Sequence, residues 1–323
     1  MPTDEEMRVL TLFETQYSDF ICKHFHEYLV RDHGFTNSYN WLRLILQRYG
    51  LVRAAPSWGK HRRRRPRPPL PAMLLHQNGS SHEWGPGERL DLIVTMDNAR
   101  SEIYSGFFCA EEGTQSCFVG LAETIPAKGL FCALYADPAS HYWHTREAGG
   151  GVDKDNPTQV GRALQQLGIE LIPGYFPQAR GRSERMLGTL QKRLLQELAL
   201  ADITDMEAAN RFLRKVYLPQ HNRRFMVAAE WDGSAFVSAL LGQVEDILCV
   251  VGERMVGQDN TVRNAGLILQ TPQDQHRWHY VKQRVRVHLH TDGIRAIFFG
   301  PRKLARYDQQ GELIDPAANQ QAA

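Results

Sequence analysis

The sequence predicts an α/β core that is preceded by a helical segment and followed by a small β-barrel. Three observations lead to this prediction. Apolar residues recur at helical spacing near the N-terminus, short β segments follow a stretch rich in arginine and proline, and short strands separated by Gly, Asn and Asp occupy the last third of the chain. The 323 residues, 42% hydrophobic and 23% charged, suffice for two or three domains.

The first segment, residues 1–52, is predicted to be helical. Apolar residues at helical spacing over residues 5–33 indicate one or two amphipathic helices that end before Gly34. Ser38 is a candidate cap for a further helix that reaches Tyr49, with Gly50 as its stop signal. Two helices joined by a turn suggest a helix-turn-helix DNA-binding segment; an ordinary structural helix pair is the alternative, because no residue proves a contact with a base.

Residues 53–70 are predicted to be a basic linker. Within them, KHRRRRPRPP combines six cations with three prolines, and mutual repulsion and proline both oppose helix formation. An extended basic arm can neutralise DNA phosphates or enter a minor groove. A solvated basic run is the alternative. The candidate DNA-binding residues in this arm are Arg62, Arg63, Arg64 and Arg65.

Residues 71–225 are predicted to be the α/β core. AMLLHQN, residues 89–97 and residues 102–109 look like an antiparallel meander, and FCALYA and IELI look like two more strands. Helices are expected over residues 114–127, from Pro157 to Gln166, and from about Ser183 onward. Residues 226–323 are then predicted to form a C-terminal β-barrel and tail, with strands in DILCVV, AGLILQT, HRWHYVKQRVRVHLH and IRAIFFG.

Two acidic residues are placed where chain elements converge. Asp137 ends an apolar strand, and Glu184 falls in the expected first turn of the long helix. Divalent ions that assist phosphoryl transfer need several hard oxygen ligands in one pocket, usually three carboxylates. A solvated loop acid and a helix N-terminal acid favoured by the helix dipole are the alternative interpretation.

The stretches HQNGS, LDLIVTMDNARS, GLFCALYADPASHY and QARGRSER, in this order, resemble DDE transposases and integrases with an RNase H-like core, over most of residues 8–310. The resemblance implies a mixed five-stranded sheet, an N-terminal helix-turn-helix and a C-terminal SH3-like β-barrel. It also implies Mg²⁺ or Mn²⁺ as cofactor, DNA (transposon ends and target) as partner, and a homo-oligomer on DNA.

The resemblance assigns the three catalytic positions to Asn78, Asp137 and Glu184, so asparagine occupies the place of the first acid. Asp137 and Glu184 remain as metal ligands. An amide lacks the charge and the bidentate mode of a carboxylate, so metal binding is expected to be weakened. Pro138 and Ala139 also depart from the family pattern. The cations around Glu184 are expected to contact the DNA backbone, or else to form a solvated face: Arg180, Arg182, Arg185 and Lys192.

Composition indicates where in the cell the protein is expected and whether it associates with a membrane. A net charge of +2 does not by itself announce a nucleic-acid partner, and no run approaches the roughly 20 apolar residues of a membrane helix. The acidic N-terminus lacks a signal-peptide pattern, so we expect a cytoplasmic protein that does not associate with a membrane. The resemblance implies a bacterial protein that associates with the nucleoid. The five scattered cysteines are expected to be free thiols. The resemblance also suggests that the N-terminus is shortened.

Two hypotheses about function follow. In the first, the protein is a transposase that cleaves and joins DNA by metal-dependent phosphoryl transfer, impaired at Asn78. In the second, it is an inactive derivative that only binds DNA. Whether Asn78 reflects natural decay or a deliberate substitution is open at this point.

Overall fold

The computed structural model describes residues 3–53, 66–85, 88–145, 151–175, 177–274 and 276–316. Its N-terminal segment contains three helices, α1 (Asp4–Gln16), α2 (Cys22–Asp32) and α3 (Tyr39–Arg48). Thr3 and Ser38 cap α1 and α3 through their side-chain oxygens. Apolar residues from all three helices form one core, which includes Phe13, Leu29 and Leu46. The helical spacing in the sequence therefore corresponds to real amphipathic helices.

The centre of the molecule is a mixed five-stranded sheet with the strand order β3-β2-β1-β4-β7. Its strands are β1 (Leu75–Gly85), β2 (Glu88–Asp97), β3 (Ile103–Cys109), β4 (Ala133–Ala136) and β7 (Glu170–Pro173). The first three strands are antiparallel, whereas β4 and β7 run parallel to β1. A separate pair, β5 (His144–Thr145) and β6 (Val152–Asp153), lies in the loop after β4.

Helices cover both faces of this sheet. Successive side chains of a strand point to opposite faces, and apolar side chains lie on both. On one face pack α4 (Thr114–Lys128) and α5 (Gln159–Gln166). On the other face pack α6 (Pro177–Leu200), α7 (Met206–Phe212), a π-helical turn (Leu213–Tyr217) and α8 (Leu218–Phe225). Leu190, Leu194 and Leu198 of α6 are buried against Leu92 and Val94 of β2.

The C-terminal region is rich in β structure. After α9 (Leu241–Ile247) come β8 (Val250–Met255), β9 (Thr261–Asn264), β10 (Leu267–Gln270), β11 (Arg284–Leu289), β12 (Arg295–Phe299), β13 (Arg302–Tyr307) and β14 (Leu313–Pro316). Five of these strands form an antiparallel sheet in the order β14-β13-β12-β11-β8, and β9 pairs with β10. Both sheets share one core around Tyr280, Val287 and Ile297. Within the described ranges, no helix combines the length and the apolar character that crossing a bilayer requires.

The predicted fold class is confirmed: a mixed five-stranded sheet with helices, a helical segment before it and a β-rich region after it. Two element predictions are wrong. The long helix begins at Pro177 rather than near Ser183, which moves Glu184 from the first turn to the third. The segment DILCVV, predicted as a strand, contains the end of α9 and the start of β8, because a short apolar run does not distinguish a buried helix from a strand.

The domain boundaries proposed from the sequence stay predictions. The chain after Phe225 continues along the core, since Val227 and Ala235 donate backbone hydrogen bonds to Arg100 and Pro71. Val244 of α9 and Leu248 belong to the same apolar cluster as α4 and α5.

Candidate active site

The register of β1 and β4 places two of the three predicted site residues side by side. Leu75 pairs with Leu134 and His76 with Tyr135 in parallel register, and extending this register by two residues, past the end of β4 at Ala136, aligns Asn78 with Asp137. Asn78 is 6% exposed and pairs with Val94 of β2, whose side chain faces α6. Asp137 directly follows β4 and is half-buried. The pairing of β1 with β4 ends at His76, and β4 itself ends at Ala136, one residue before Asp137.

Helix α6 brings Glu184 to the same part of the sheet. Near the start of α6, the Arg182 guanidinium donates to the amide oxygen of Asn98, whose backbone N–H bonds the carbonyl of Leu74 next to β1. Further along the helix, the Gln191 amide donates to Ser80 of β1 at 2.7 Å. Glu184 lies between these two contacts and is exposed, so it lies alongside the stretch of β1 that contains Asn78.

The donors at this edge fit a divalent ion only in part. Asp137 and Glu184 supply carboxylate oxygens, which Mg²⁺ prefers, while Asn78 supplies a neutral amide oxygen. Among the described residues, no group of three or more His, Cys, Asp or Glu side chains is placed to hold a metal ion. Asp137 also accepts a hydrogen bond from the Ala139 backbone N–H at 3.3 Å, which orients its carboxylate.

Two further acids near the sheet have structural roles. Asp97 is fully buried and accepts hydrogen bonds from the backbone N–H groups of Ala72 and Arg100, which fixes the turn after β2. Burial raises the pKa of Asp97 above its ordinary value, and the two backbone hydrogen bonds oppose that effect. Asp91 accepts from the Glu112 backbone N–H at 2.6 Å. Both carboxylates therefore accept backbone hydrogen bonds that fix local chain geometry.

Glu112 is a nearby acid that the sequence did not single out. It follows β3, and its carboxylate lies against the backbone of Gly79, where an added Cβ would stand 2.1 Å from Oε2. His141 Nε2 lies 3.5 Å from Oε1 of Glu112. Burial raises the pKa of the Tyr142 hydroxyl well above its ordinary value, and the negative charges of Glu112 and Asp137 add to that effect. The close approach of the Glu112 carboxylate to the β1 backbone requires a glycine at position 79, and this glycine is visible in the sequence.

The predicted DNA-binding cations divide into three groups. Arg62, Arg63, Arg64 and Arg65 lie outside the described residues, as does the side chain of Arg180. Arg185 and Lys192 are exposed on α6, and Arg182 is half-buried against Asn98. Arg193, which follows Lys192 in the sequence, is buried and faces the N-terminal helices, where it forms two hydrogen bonds of 2.7 and 2.9 Å with Glu27.

Comparison with known proteins supports the family that this fold and these motifs indicate. Over 289 residues, which are 88% of this chain, the sequence is 28% identical to "Putative transposase y4bF" of Sinorhizobium fredii. Over 161 residues, or 50% of the chain, it is 31% identical to the transposase for insertion sequence IS1202 of Streptococcus pneumoniae. Both of these relatives are named as bacterial transposases. The matched regions span 62% and 34% of these two relatives, and no family model matches the sequence.

Among solved structures, similar chains come from retroviral integrases. A chain of a simian T-cell lymphotropic virus intasome is 14% identical with a TM-score of 0.39, covering 85% of this chain and 88% of that one. The HTLV-2 integrase catalytic core domain, solved in complex with magnesium, is 12% identical with a TM-score of 0.34, covering 46% of this chain and 89% of that one.

Proposed function

We propose that the protein is a transposase that binds DNA and carries a metal-dependent strand-transfer site impaired at Asn78. The observation that supports this proposal is the parallel register of β1 and β4, which aligns Asn78 with Asp137 when it is extended by two residues; Glu184 lies on α6. In this arrangement Asp137 and Glu184 would supply carboxylate ligands to Mg²⁺ or Mn²⁺. Metal ions held there would activate the attacking oxygen of water or a 3′-hydroxyl and stabilise the leaving oxygen.

The chain's own residues position the DNA in this proposal. The exposed cations on α6, Arg185 and Lys192, contact the phosphate backbone beside the site, and the arginines of residues 62–65 extend that contact. The partners are transposon ends and target DNA, bound by a homo-oligomer in the bacterial cytoplasm at the nucleoid. The names of the two bacterial relatives support a DNA substrate.

Residue 78 limits the rate in this proposal. A neutral amide holds a divalent ion less well than a carboxylate, so one ion is misplaced. If this removes about 4 kcal/mol of transition-state stabilisation, turnover falls about a thousandfold, since each 1.36 kcal/mol is a factor of ten. DNA binding does not depend on that ion and is retained.

The second candidate is an inactive derivative that only binds DNA. The observation in its favour is that the described residues hold no group of three metal-binding side chains. It predicts binding without divalent ions and no strand transfer under any condition.

A strand-transfer assay separates the two candidates. Wild-type protein, N78D and the double variant N78D/E184Q are incubated with terminal-repeat DNA of the parent element and Mg²⁺ or Mn²⁺. The proposal expects weak Mn²⁺-dependent nicking by the wild type, strong activity of N78D and none of the double variant. If N78D binds DNA normally and still transfers no strand, the impaired-transposase proposal is wrong and the binding-only candidate stands.

A further inference from the structure

The outer edge of β3 is covered by a helix instead of a further strand. Among the described residues, β3 is the last strand of the five-stranded sheet and pairs only with β2. The helix along it spans residues 206–225 without interruption and consists of α7, the π-helical turn and α8; we term it the edge helix. An uncovered edge strand presents backbone N–H and C=O groups to which a strand of another chain can bond.

Two asparagines of the edge helix bond the backbone of β3. The side-chain oxygen of Asn210 accepts from the Phe108 N–H at 2.6 Å, and its side-chain nitrogen donates to the Phe108 carbonyl at 3.0 Å. Asn222 bonds Ile103 in the same way, at 2.9 and 2.8 Å. Each amide thus bonds both backbone groups of one residue, as a hydrogen-bonded residue of a neighbouring antiparallel strand does. Asn210 and Asn222 are termed the asparagine pair.

An irregularity in β3 turns both bonded residues toward the same edge. Ile103 and Phe108 are five residues apart, and in a regular strand residues at odd separation direct their N–H and C=O groups to opposite edges. The register with β2 shifts by one residue, because Thr95 pairs with Ser105 while Met96 pairs with Ile103. This additional residue restores the alternation, so Ile103 and Phe108 both present their backbone groups to the edge helix.

The π-helical turn makes the corresponding adjustment in the helix. Asn210 and Asn222 are 12 residues apart. In an uninterrupted α-helix, with about 100° of rotation per residue, this separation would place the two side chains about 120° apart around the axis. A π-helical turn closes its hydrogen bonds over one additional residue, so the pair is arranged as if about 11 residues apart, which is about 20° from alignment.

The spacing of the asparagine pair then matches the spacing on the strand. About 11 residues of helix, at about 1.5 Å each, span about 16 Å, and five residues of strand, at about 3.3 Å each, span about the same length. Gly106 lies between the two bonded residues, and an added Cβ there would stand 3.2 Å from Leu218 Cδ1 of the edge helix. The glycine therefore allows the helix to lie close to the strand between the two asparagines.

We propose that the edge helix takes the place of a sixth strand: the asparagine pair bonds β3 as a neighbouring strand would and closes this edge to strands of other chains. The π-helical turn and the irregularity in β3 are the two one-residue adjustments that make this bonding possible. The proposal does not involve Asn78, Asp137 or Glu184, so it is independent of strand transfer.

Hydrogen exchange tests the proposal on the full-length protein without DNA or metal. NMR spectra of deuterated protein with labelled isoleucine, phenylalanine and valine nitrogens follow three amides. Those of Ile103 and Phe108 report on the asparagine pair, and that of Val94, in the interior strand β2, reports on the sheet as a whole.

The variants are Asn222→Ala and Asn210→Ala. Asn222→Ala should speed exchange at Ile103 about tenfold, and Asn210→Ala should do the same at Phe108, each through one lost hydrogen bond to the amide. The other two amides should change little in each case. The matched control is Asn40→Ala, an exposed helical position of α3, which should leave all three amides unchanged. Equal acceleration at all three amides, or no acceleration, would overturn the proposal.

Two length variants test the π-helical turn. Deletion of Lys215, an exposed residue of that turn, removes the additional residue, so the resulting regular helix should keep Ile103 and Phe108 protected. Insertion of one alanine after Lys215 should turn Asn222 away by about 100° and speed exchange at Ile103. Loss of both protections in the deletion variant, or full protection in the insertion variant, would overturn the role of the turn.

Sedimentation velocity without DNA tests whether the asparagine pair closes the edge. N210A/N222A should sediment as larger species than wild type and Asn40→Ala at the same concentration, because β3 is then free to pair with another chain. An unchanged sedimentation coefficient together with rapid exchange at Ile103 and Phe108 would contradict the closing role.

Discussion

Replacement of His221 by phenylalanine should flatten the dependence of stability on pH. His221 is 5% exposed, and desolvation lowers its pKa from 6.5 to about 4, with the nearby Arg193 charge adding to the effect. Below pH 6.5 the unfolded chain therefore takes up a proton at this residue, whereas the folded chain does so only near pH 4. Stability from this group is intact above pH 6.5 and falls as the pH decreases toward 4.

The magnitude follows from the difference in bound protons. Each pH unit in this window changes the free energy of unfolding by about 1.4 kcal/mol per proton. Between pH 7.5 and 5.5, His221 thus removes about 1.4 kcal/mol from the wild type. His288, whose pKa burial also lowers to about 4, remains in the variant and contributes its own loss. The variant's loss should be smaller than the wild type's by about 1.4 kcal/mol.

Urea denaturation at several pH values between 7.5 and 5.5 measures this difference. The matched control is His279→Gln, because His279 is exposed and lies in the β-rich region. The control should keep the wild-type dependence. Parallel stability curves for wild type and His221→Phe would refute the reasoning, because they would mean that His221 takes up its proton equally in both states.

Three other substitutions test packing and pairing. Glu27→Ala should destabilise the fold by about 3–5 kcal/mol in urea denaturation, because the buried Arg193 loses its partner; a loss below about 1 kcal/mol would contradict this pairing. Leu194→Ala should cost about 2–5 kcal/mol in the same assay, since Leu194 is fully buried between α6 and the sheet; an unchanged midpoint would contradict the packing. Gly120→Ala should lower the melting temperature, because the new Cβ would stand 2.4 Å from Gln77 Nε2, a buried and hydrogen-bonded amide; a variant as stable as wild type would show that Gln77 moves freely.

Much of the fold could be predicted because its signals are local. The strands β2, β3 and β4 each contain a run of apolar residues and lie between turn residues, and Ser38 caps α3 through its side chain. The start of α6 was missed because its first turns are polar and contain Gly181, so the apolar face that marks the helix only begins at Met186. Helix propensity and packing then extend the helix back to Pro177.

The candidate active site could be placed from the sequence only through its resemblance to a family. The strand end at Asp137 is a local signal, but the level position of Asn78 depends on the register of β1 and β4. A cavity between the N-terminal helices and the core could not be predicted from the sequence, because His24, Glu197 and His221, which line it, are far apart in the chain and meet only through tertiary packing. The pairing of Arg193 with Glu27 likewise joins residues that are far apart in the chain.

The affinity of the protein for divalent ions tests whether residues 78, 137 and 184 form one metal site. Calorimetric titration of Mn²⁺ into wild-type protein, N78D and N78D/E184Q reports ion binding without DNA or catalysis. We expect weak binding by the wild type, at least about tenfold tighter binding by N78D, since a carboxylate replaces an amide, and loss of that gain in the double variant. Equal Mn²⁺ affinity of wild type and N78D would contradict it, because residue 78 would then not be part of a metal site with Asp137 and Glu184.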